Sequence, residues 1–292
     1  MTLLQRLFGA KPDLPPSIAE ACADLDRLGR DQPALHGHAR ALRAAVILFA
    51  HPVRESAWTM PIDRIKEKWI AGVPLLRGEK PPLDAKAFAQ RWFEFCDVLV
   101  RHENLDAALE LARALRNRRL LPAAMITWIL SGQVSEFHAH VEAKGLDAAL
   151  AASILRWTLF PWLVHLQTSL VPSLPSTPWP HGYCPICGSW PALGEFRGLE
   201  QVRFLRCGLC AASWEFPRLC CPFCGVDDHR QLGYLHREGD EGKERIATCD
   251  ACRGYIKIVN TLTPLKPEQL LVMELATLPL DLVAGDRGYF VP

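Results

Sequence analysis

The chain is 292 residues long, 49% hydrophobic and 22% charged, with 33 Lys and Arg against 32 Asp and Glu and a formal net charge of +1. That length has room for two domains, or for one domain with an appended module, and that apolar content supports a core of ordinary size. The balance places the chain among soluble globular proteins, and nothing in it points to nucleic acid.

The start, Met1 to Phe8, has too short an apolar run for a secretion signal and no twin arginine, so the oxidising compartment that a disulfide framework needs is not expected. Residues 1–171 then read as helix almost throughout. Ser17-Ile18-Ala19-Glu20 is a capping-box start, and apolar spacing continues through Leu28. Further helices are predicted over 33–50, 62–70, 84–100, 105–115, 122–130 and 135–144. Phe88, Trp92 and Phe95 share one face of the helix over 84–100, a stripe that faces a core more often than a cofactor. Residues 146–170 are the most apolar stretch, but Arg156, Pro161 and His165 interrupt it, so a buried, kinked helix is expected rather than a membrane span. From Val171 to Pro180 four prolines in ten residues stop the helix and hold the chain extended. The expected division is a helical domain over 1–171, a proline-rich linker over 172–182, and two cysteine modules over 183–219 and 220–292.

Eight of the eleven cysteines form four Cys-x-x-Cys pairs: Cys184/Cys187, Cys207/Cys210, Cys221/Cys224 and Cys249/Cys252. Two thiolates three positions apart can bind one tetrahedral ion if the backbone folds into a tight knuckle, and a following glycine supplies the backbone angles this needs. Cys184-Pro185-Ile186-Cys187-Gly188 and Cys221-Pro222-Phe223-Cys224-Gly225 both have that form. The intervals between first and second pairs, 19 residues from Cys187 to Cys207 and 24 from Cys224 to Cys249, read as hairpins. The first turns around Gly198, the second around Gly239-Asp240-Glu241-Gly242. Sequential pairing, one ion per half, is the expected arrangement, with first-to-third cross-bracing as the alternative. A single pair would read as a redox dithiol and an oxidising compartment would allow disulfides, but four tandem pairs point to metal. Four sulfurs suit zinc or a single rubredoxin-type iron and close the coordination sphere. Cys22 and Cys96 read as core thiols, and Cys220 as a spare thiol beside a ligand.

From Tyr183 to Asn260 ten Lys and Arg balance ten Asp and Glu, so bound thiolates would make this region acidic, the opposite of a phosphate-gripping ribbon. Arg203, Arg206, Arg218 and Arg253 are placed to neutralise the sulfurs. His36/His38 and His138/His140 sit two apart on helices and cannot chelate one ion together. Asp227-Asp228-His229 reads as a polar turn, and Arg113, Arg116, Arg118 and Arg119 as a solvated patch near a helix end. Beyond the last pair, residues 255–262 read as a strand and 267–276 as a helix with proline in its first turn. No Gly-rich phosphate loop, nucleophile elbow or catalytic carboxylate pair is found, so no catalytic residue is assigned.

The helical first half, Cys-Pro-Ile-Cys-Gly-Ser, Arg-Cys-Gly-Leu-Cys, Cys-Cys-Pro-Phe-Cys-Gly, Thr-Cys-Asp-Ala-Cys-Arg-Gly-Tyr-Ile-Lys and the tail Leu-Ala-Thr-Leu-Pro-Leu-Asp together resemble the FdhE family of formate dehydrogenase accessory proteins. The likeness is specific from Tyr183 to Asp281. It implies a multidomain α+β chain, an all-α N-terminal domain followed by two tandem rubredoxin-like, zinc-ribbon-like metal modules of four cysteines each. It places the ligands on Cys184, Cys187, Cys207, Cys210, Cys221, Cys224, Cys249 and Cys252. It implies two rubredoxin-type irons, with zinc the alternative, in a cytoplasmic, non-enzymatic assembly factor. Such a factor binds the catalytic subunit of respiratory formate dehydrogenase before export, without nucleic acid or stable membrane insertion, and with room for a homodimer. The alternative function is a thiol-redox or iron-transfer enzyme acting on the same client. One departure from the pattern is Arg253 directly after Cys252, with Gly254 one place late for a knuckle glycine.

Overall fold

Helix α1 (Pro16–Asp31) starts one residue before Ser17, with a proline in its first turn where no amide partner is needed. No side chain caps it, so the expected capping box is not formed. The computed structural model describes residues 14–50, 58–103, 105–236 and 244–291. After a single 3-10 turn at Pro33–Leu35, α2 (His36–Leu48) packs on α1 through Ile18, Cys22, Leu25, Leu42 and Val46. Five shorter or mid-length helices follow: α3 (Ile62–Ile70), α4 (Ala85–Glu103), α5 (Asp106–Arg116), α6 (Pro122–Ser131) and α7 (Val134–Glu142). The apolar run becomes α8 (Ala148–Leu170), opened by Asp147, whose carboxylate accepts from the Leu150 amide at 2.9 Å.

Among the described residues α8 and its 3-10 extension are the one helix long and apolar enough to cross a membrane. Half of its most apolar window is buried inside the protein, where Ile154, Leu155, Leu159, Leu163 and Leu166 belong to the main hydrophobic cluster. The aromatic stripe of α4 faces the same cluster: Trp92 and Phe95 are fully buried, and Phe95 meets Trp157 edge-on at 5.9 Å. The stripe is therefore core.

The second half of the chain forms one sheet. Its strands are β1 (Pro191–Arg197), β2 (Val202–Cys207), β3 (Ser213–Glu215), β4 (Leu232–Leu235), β5 (Glu244–Cys249) and β6 (Tyr255–Thr261). Each cysteine half supplies an antiparallel meander, and the two meanders join into the order β3-β2-β1-β6-β5-β4. The joint is a parallel ladder, Gly194 to Arg197 against Ile258 to Thr261. The halves that read as separate modules in the sequence thus share one backbone hydrogen-bond network. The first hairpin turns at Gly198, φ 65°. The second turn, 239–242, lies outside the described residues.

A Cβ at Gly194 would come within 2.5 Å of Ile258 Cδ1 on the neighbouring strand, so an alanine there would make the end of the Ile258 side chain shift. Next to it the fully buried Glu195 receives Arg206, Arg197 (2.5 Å), the Thr261 hydroxyl (3.3 Å) and the Leu265 amide (3.4 Å). Taking away one partner of such a buried, hydrogen-bonded pair costs about 3–5 kcal/mol, since the remaining charge is stranded.

The proline-rich segment is pinned to both layers. Trp69 donates to Thr177 O at 3.2 Å, Trp179 to Tyr183 O at 2.8 Å, Tyr183 to Gly72 O at 2.7 Å and Trp214 to His181 O at 3.1 Å. Helix α9 (Pro267–Ala276) and a further helix α10 (Leu278–Asp286), read as a tail in the sequence, complete the fold, with α10 against β5 and β6. Lys257 and Tyr255 on β6 bind opposite oxygens of Asp281 at 2.8 and 2.7 Å, which fixes α10 in place.

Two alanine substitutions are expected to have opposite signs. A Cβ at Gly182 would collide with the backbone carbonyl of Pro222, so Gly182→Ala forces the first cysteine half away from the second and costs about 2–3 kcal/mol. Gly285 is helical with open space at its Cβ position, and Gly285→Ala gains about 0.5–1 kcal/mol. Thermal unfolding of the two variants against the parent checks both signs.

Candidate metal centres

All four Cys-x-x-Cys segments adopt one knuckle, held by backbone hydrogen bonds at its first cysteine, in both directions in the first three. The amide-to-carbonyl distances are Gly188–Cys184 3.0 Å and Cys184–Ser189 2.9 Å in the first, and Gly225–Cys221 3.0 Å and Cys221–Val226 2.8 Å in the third. In the second, Ala211–Cys207 and Cys207–Ala212 are both 2.9 Å, and in the fourth Cys249 donates to Gly254 at 2.9 Å. The residue after the second cysteine is left-handed every time: Gly188 φ 84°, Ala211 φ 57°, Gly225 φ 76° and Arg253 φ 58°.

Arg253 therefore makes the turn itself, and Gly254 is not needed for it. A non-glycine residue there costs about 1–2 kcal/mol. Arg253 offsets this by binding Asp250 (3.1 Å) and the Arg287 carbonyl (2.6 Å) while lying 4.0 Å over the Tyr289 ring.

The knuckles gather the sulfurs into two groups, Cys184, Cys187, Cys207 and Cys210, and Cys221, Cys224, Cys249 and Cys252, each with all ligand atoms within 4.8 Å of one another. This is the sequential grouping, not the cross-braced one. Sulfurs stand 3.6 Å (Cys184–Cys210) and 3.4 Å (Cys187–Cys207) apart in the first group, and 3.7 Å (Cys221–Cys252) and 3.6 Å (Cys224–Cys249) in the second. A tetrahedron with metal–sulfur bonds of about 2.3 Å has edges of about 3.8 Å, so either group fits an ion with little adjustment. All eleven cysteines are free thiols. Both groups lie at the same end of the sheet, where β1, β4 and β6 begin and β2 and β5 finish.

The two groups differ in exposure. The first is wholly buried; in the second Cys224 is exposed and Cys252 half-buried. Burial pushes the Cys184 and Cys210 thiols well above the ordinary range, whereas hydrogen bonds from Cys184, Cys207 and Cys210 hold Cys187 well below it. In the second group burial raises Cys221 and Cys252. At Cys224 burial works upward but is outweighed by hydrogen bonds from the Val226 backbone and the other sulfurs, and the thiol lies low. Within each group burial and hydrogen bonding thus push different thiols in opposite directions.

The helical layer braces the first knuckle directly. Leu75 and Leu76 donate to Pro185 O and Ile186 O, both at 2.8 Å, and the loop carrying them is held by the buried Lys68, which binds Leu75 O, Arg77 O and Glu79. Arg156, the lone cation inside α8 apart from His165, donates to Gly208 O at 2.8 Å within the second knuckle and pairs with Glu274 of α9. Sequence reading took Arg156 only as an interruption; an arginine in the most apolar helix was the available signal. A chain of rings, Trp69, Trp179, His181, Tyr183, Trp190 and Phe223, with neighbouring centroids 4.9–6.0 Å apart, links α3 to the knuckle of the second group.

The arginines expected to neutralise sulfur make their hydrogen bonds and ring contacts with other groups. Arg206 goes to Glu195 and Ala211 O, Arg218 lies over the Phe196 ring at 4.5 Å, and Arg203 binds three carbonyls. Neither histidine pair belongs to a metal-sized group among the described residues. Asp228 caps the turn at His229–Gln231 and grips Arg230, as a polar turn would.

The architecture is that of a two-layer thiolate protein: helices set against a sheet that presents two four-cysteine groups able to hold metal ions. Residues 183–218 match the family model described as the FdhE central domain. An FdhE homolog of Stutzerimonas stutzeri is 36% identical over 143 residues, 48% of this chain but only 44% of that protein. An FdhE homolog of Pseudomonas aeruginosa is 31% identical over 223 residues, covering 72% of this chain and 68% of the homolog. The crystal structure of the FdhE protein from Pseudomonas aeruginosa shares the fold, with a TM-score of 0.64 over 95% of this chain and 94% of that one at 24% identity. The chain belongs to the FdhE family.

The exposure difference sets an expected order of metal loss. In zinc-loaded Cys221→Ser and Cys184→Ser variants, each left with one intact group, a chromogenic chelator should empty the second group at least about tenfold faster than the first, which must open locally to be reached. Equal release rates would contradict the structural difference.

Proposed function

We propose that this protein is a non-catalytic accessory factor for respiratory formate dehydrogenase, binding the catalytic subunit in the cytoplasm before export. The observation that carries this reading is the pair of complete four-sulfur groups in an FdhE-family chain. Four sulfurs fill a tetrahedron and leave no coordination position for substrate or water, which favours recognition of another protein over turnover. The eight cysteines would hold two ions, iron in a rubredoxin-like setting, with zinc fitting the same donors. An ion in each group would offset part of the thiolates' charge and supply folding free energy on the order of 10 kcal/mol per site, so the units 183–219 and 220–292 should depend on it while the helical region 1–171 should not.

A thiol-redox or iron-transfer enzyme acting on the same client is the second reading. It is favoured by the exposed Cys224 and by Cys220 next to Cys221, a free thiol whose hydrogen bonds go to the Cys221 and Gly225 carbonyls, at 3.8 and 3.7 Å.

Anaerobic pull-down with the formate dehydrogenase catalytic subunit should retain it on the wild-type chain and lose it with Cys184→Ser or Cys221→Ser, with the circular dichroism of the helical region largely intact. Equal capture by metal-free variants would overturn the accessory reading. Catalytic turnover of a disulfide substrate, abolished by Cys224→Ser, would establish the second. Elemental analysis should give two ions per chain, and visible colour that bleaches on reduction would select iron over zinc.

A further inference from the structure

Arg113 and Arg116 lie in the last turn of α5, and Arg118 and Arg119 follow in the turn that leads to α6. The helix dipole favours cations in a last turn, which accounts for the first two. It does not account for Arg118. The Arg118 amide binds Leu115 O at 3.1 Å and the Arg119 amide binds Ala114 O at 2.8 Å, closing the helix with Arg118 left-handed at φ 55°. Glycine is the ordinary residue in that position, and an arginine there costs stability. Arg253 makes the same left-handed turn and offsets it through Asp250, the Arg287 carbonyl and the Tyr289 ring. Arg118 is exposed, and its side chain has no hydrogen bond, ion pair or ring contact among the described residues. A strained residue whose side chain returns nothing inside the chain points to a role outside it.

Positive charge is in excess around it. Arg116 lies over the Phe93 ring at 5.4 Å and Arg119 donates to Lys144 O at 2.5 Å, and neither meets a carboxylate among the described residues. Arg113 pairs with Glu110 at 2.9 Å, while Asp106 stands at the opposite end of the helix. Glu142 and Asp147, on either side of Lys144, pair with none of the four arginines; Asp147 is occupied as the cap of α8. Residues 105, 109, 113 and 116 follow the four- and three-residue spacing that shares one helix face, and Leu105 and Leu109 on it are 37% and 40% exposed. Two open leucines running into a cluster of arginines match an acidic amphipathic segment, its apolar side chains on the leucines and its carboxylates on the guanidinium groups. Nucleic acid fits less well, because this row offers no aromatic ring for base stacking and the whole chain carries a net charge of only +1.

We propose that this face of α5, from Leu105 to Arg119, docks an acidic amphipathic segment of a protein partner. Naming that partner as the formate dehydrogenase catalytic subunit rests on the accessory reading; the surface itself does not.

Two probes of the intact, metal-loaded chain keep these apart. A synthetic helical peptide of about 14 residues, a little longer than α5, with leucines four apart flanked by glutamates, should bind saturably in fluorescence anisotropy. Its twin with glutamine for glutamate should bind at least about tenfold more weakly, as should the glutamate peptide to Arg116→Glu/Arg118→Glu. Arg118→Gly should raise the unfolding temperature, because glycine takes φ 55° freely, and should weaken the peptide several-fold at the same time. Anaerobic capture of the catalytic subunit should fall in the same variants, with native circular dichroism and unchanged bound metal. No saturable peptide binding, equal binding by Arg116→Glu/Arg118→Glu, or a more stable Arg118→Gly with undiminished affinity would each overturn the surface. So would an oligouridine of about 20 nucleotides that binds more tightly than the peptide and is lost in the same variants. Peptide binding without capture of the subunit by the wild type would leave the surface standing and remove the accessory reading instead.

Discussion

Backbone pairing between β1 and β6 is what turns the cysteine half of the chain into a single body. Each cysteine segment is a three-stranded meander with two edges, and an isolated edge leaves backbone donors and acceptors unpaired. Joining β1 to β6 converts two small, edge-rich units into one six-stranded sheet with a face wide enough to take the helices. At this joint the Glu195 carboxylate, held by Arg197, Arg206, Thr261 and the Leu265 amide, ties both strands and the start of the C-terminal helices at one point.

With β1 and β6 parallel, both sulfur groups fall at one end of the sheet. Their surroundings are nevertheless unequal. The first group is covered by the helical layer, through the Leu75 and Leu76 amides on its first knuckle and Arg156 on its second. The second faces outward at Cys224 and Cys252. An ion in the first would be insulated and slow to leave, and one in the second would be open to exchange with solvent or a partner. A single fold thus gives its two groups different access to solvent, using the same four-residue knuckle for both.

The knuckles also show how strain is distributed. Glycine makes the left-handed turn without penalty at Gly188 and Gly225, while Ala211 and Arg253 adopt it at a cost. Both costly turns belong to the second knuckle of a group, where the chain has just left β2 or β5 and the ladder already fixes its direction. Arg253 recovers the cost through Asp250, the α10 terminus and Tyr289, so the last knuckle is held from outside itself.

Much of the local structure was legible in the order of the residues. Helical periodicity located α2 to α9 to within a few residues, because each buries one face, and the stripe at Phe88, Trp92 and Phe95 gave the core side of α4. Spacing of the cysteines with Gly188 and Gly225 marked the knuckles, since a tight left-handed turn after two thiols leaves few alternatives. Helix α10 was missed because its core contacts are few, Leu280 and Ala284, and its anchor is the distant Lys257 and Tyr255 pair on Asp281. Two features arise only once the chain is folded. The merger of the two halves is a register choice between strands about sixty residues apart, and no local pattern encodes it. The unequal burial of the sulfur groups depends on which knuckle the helices reach.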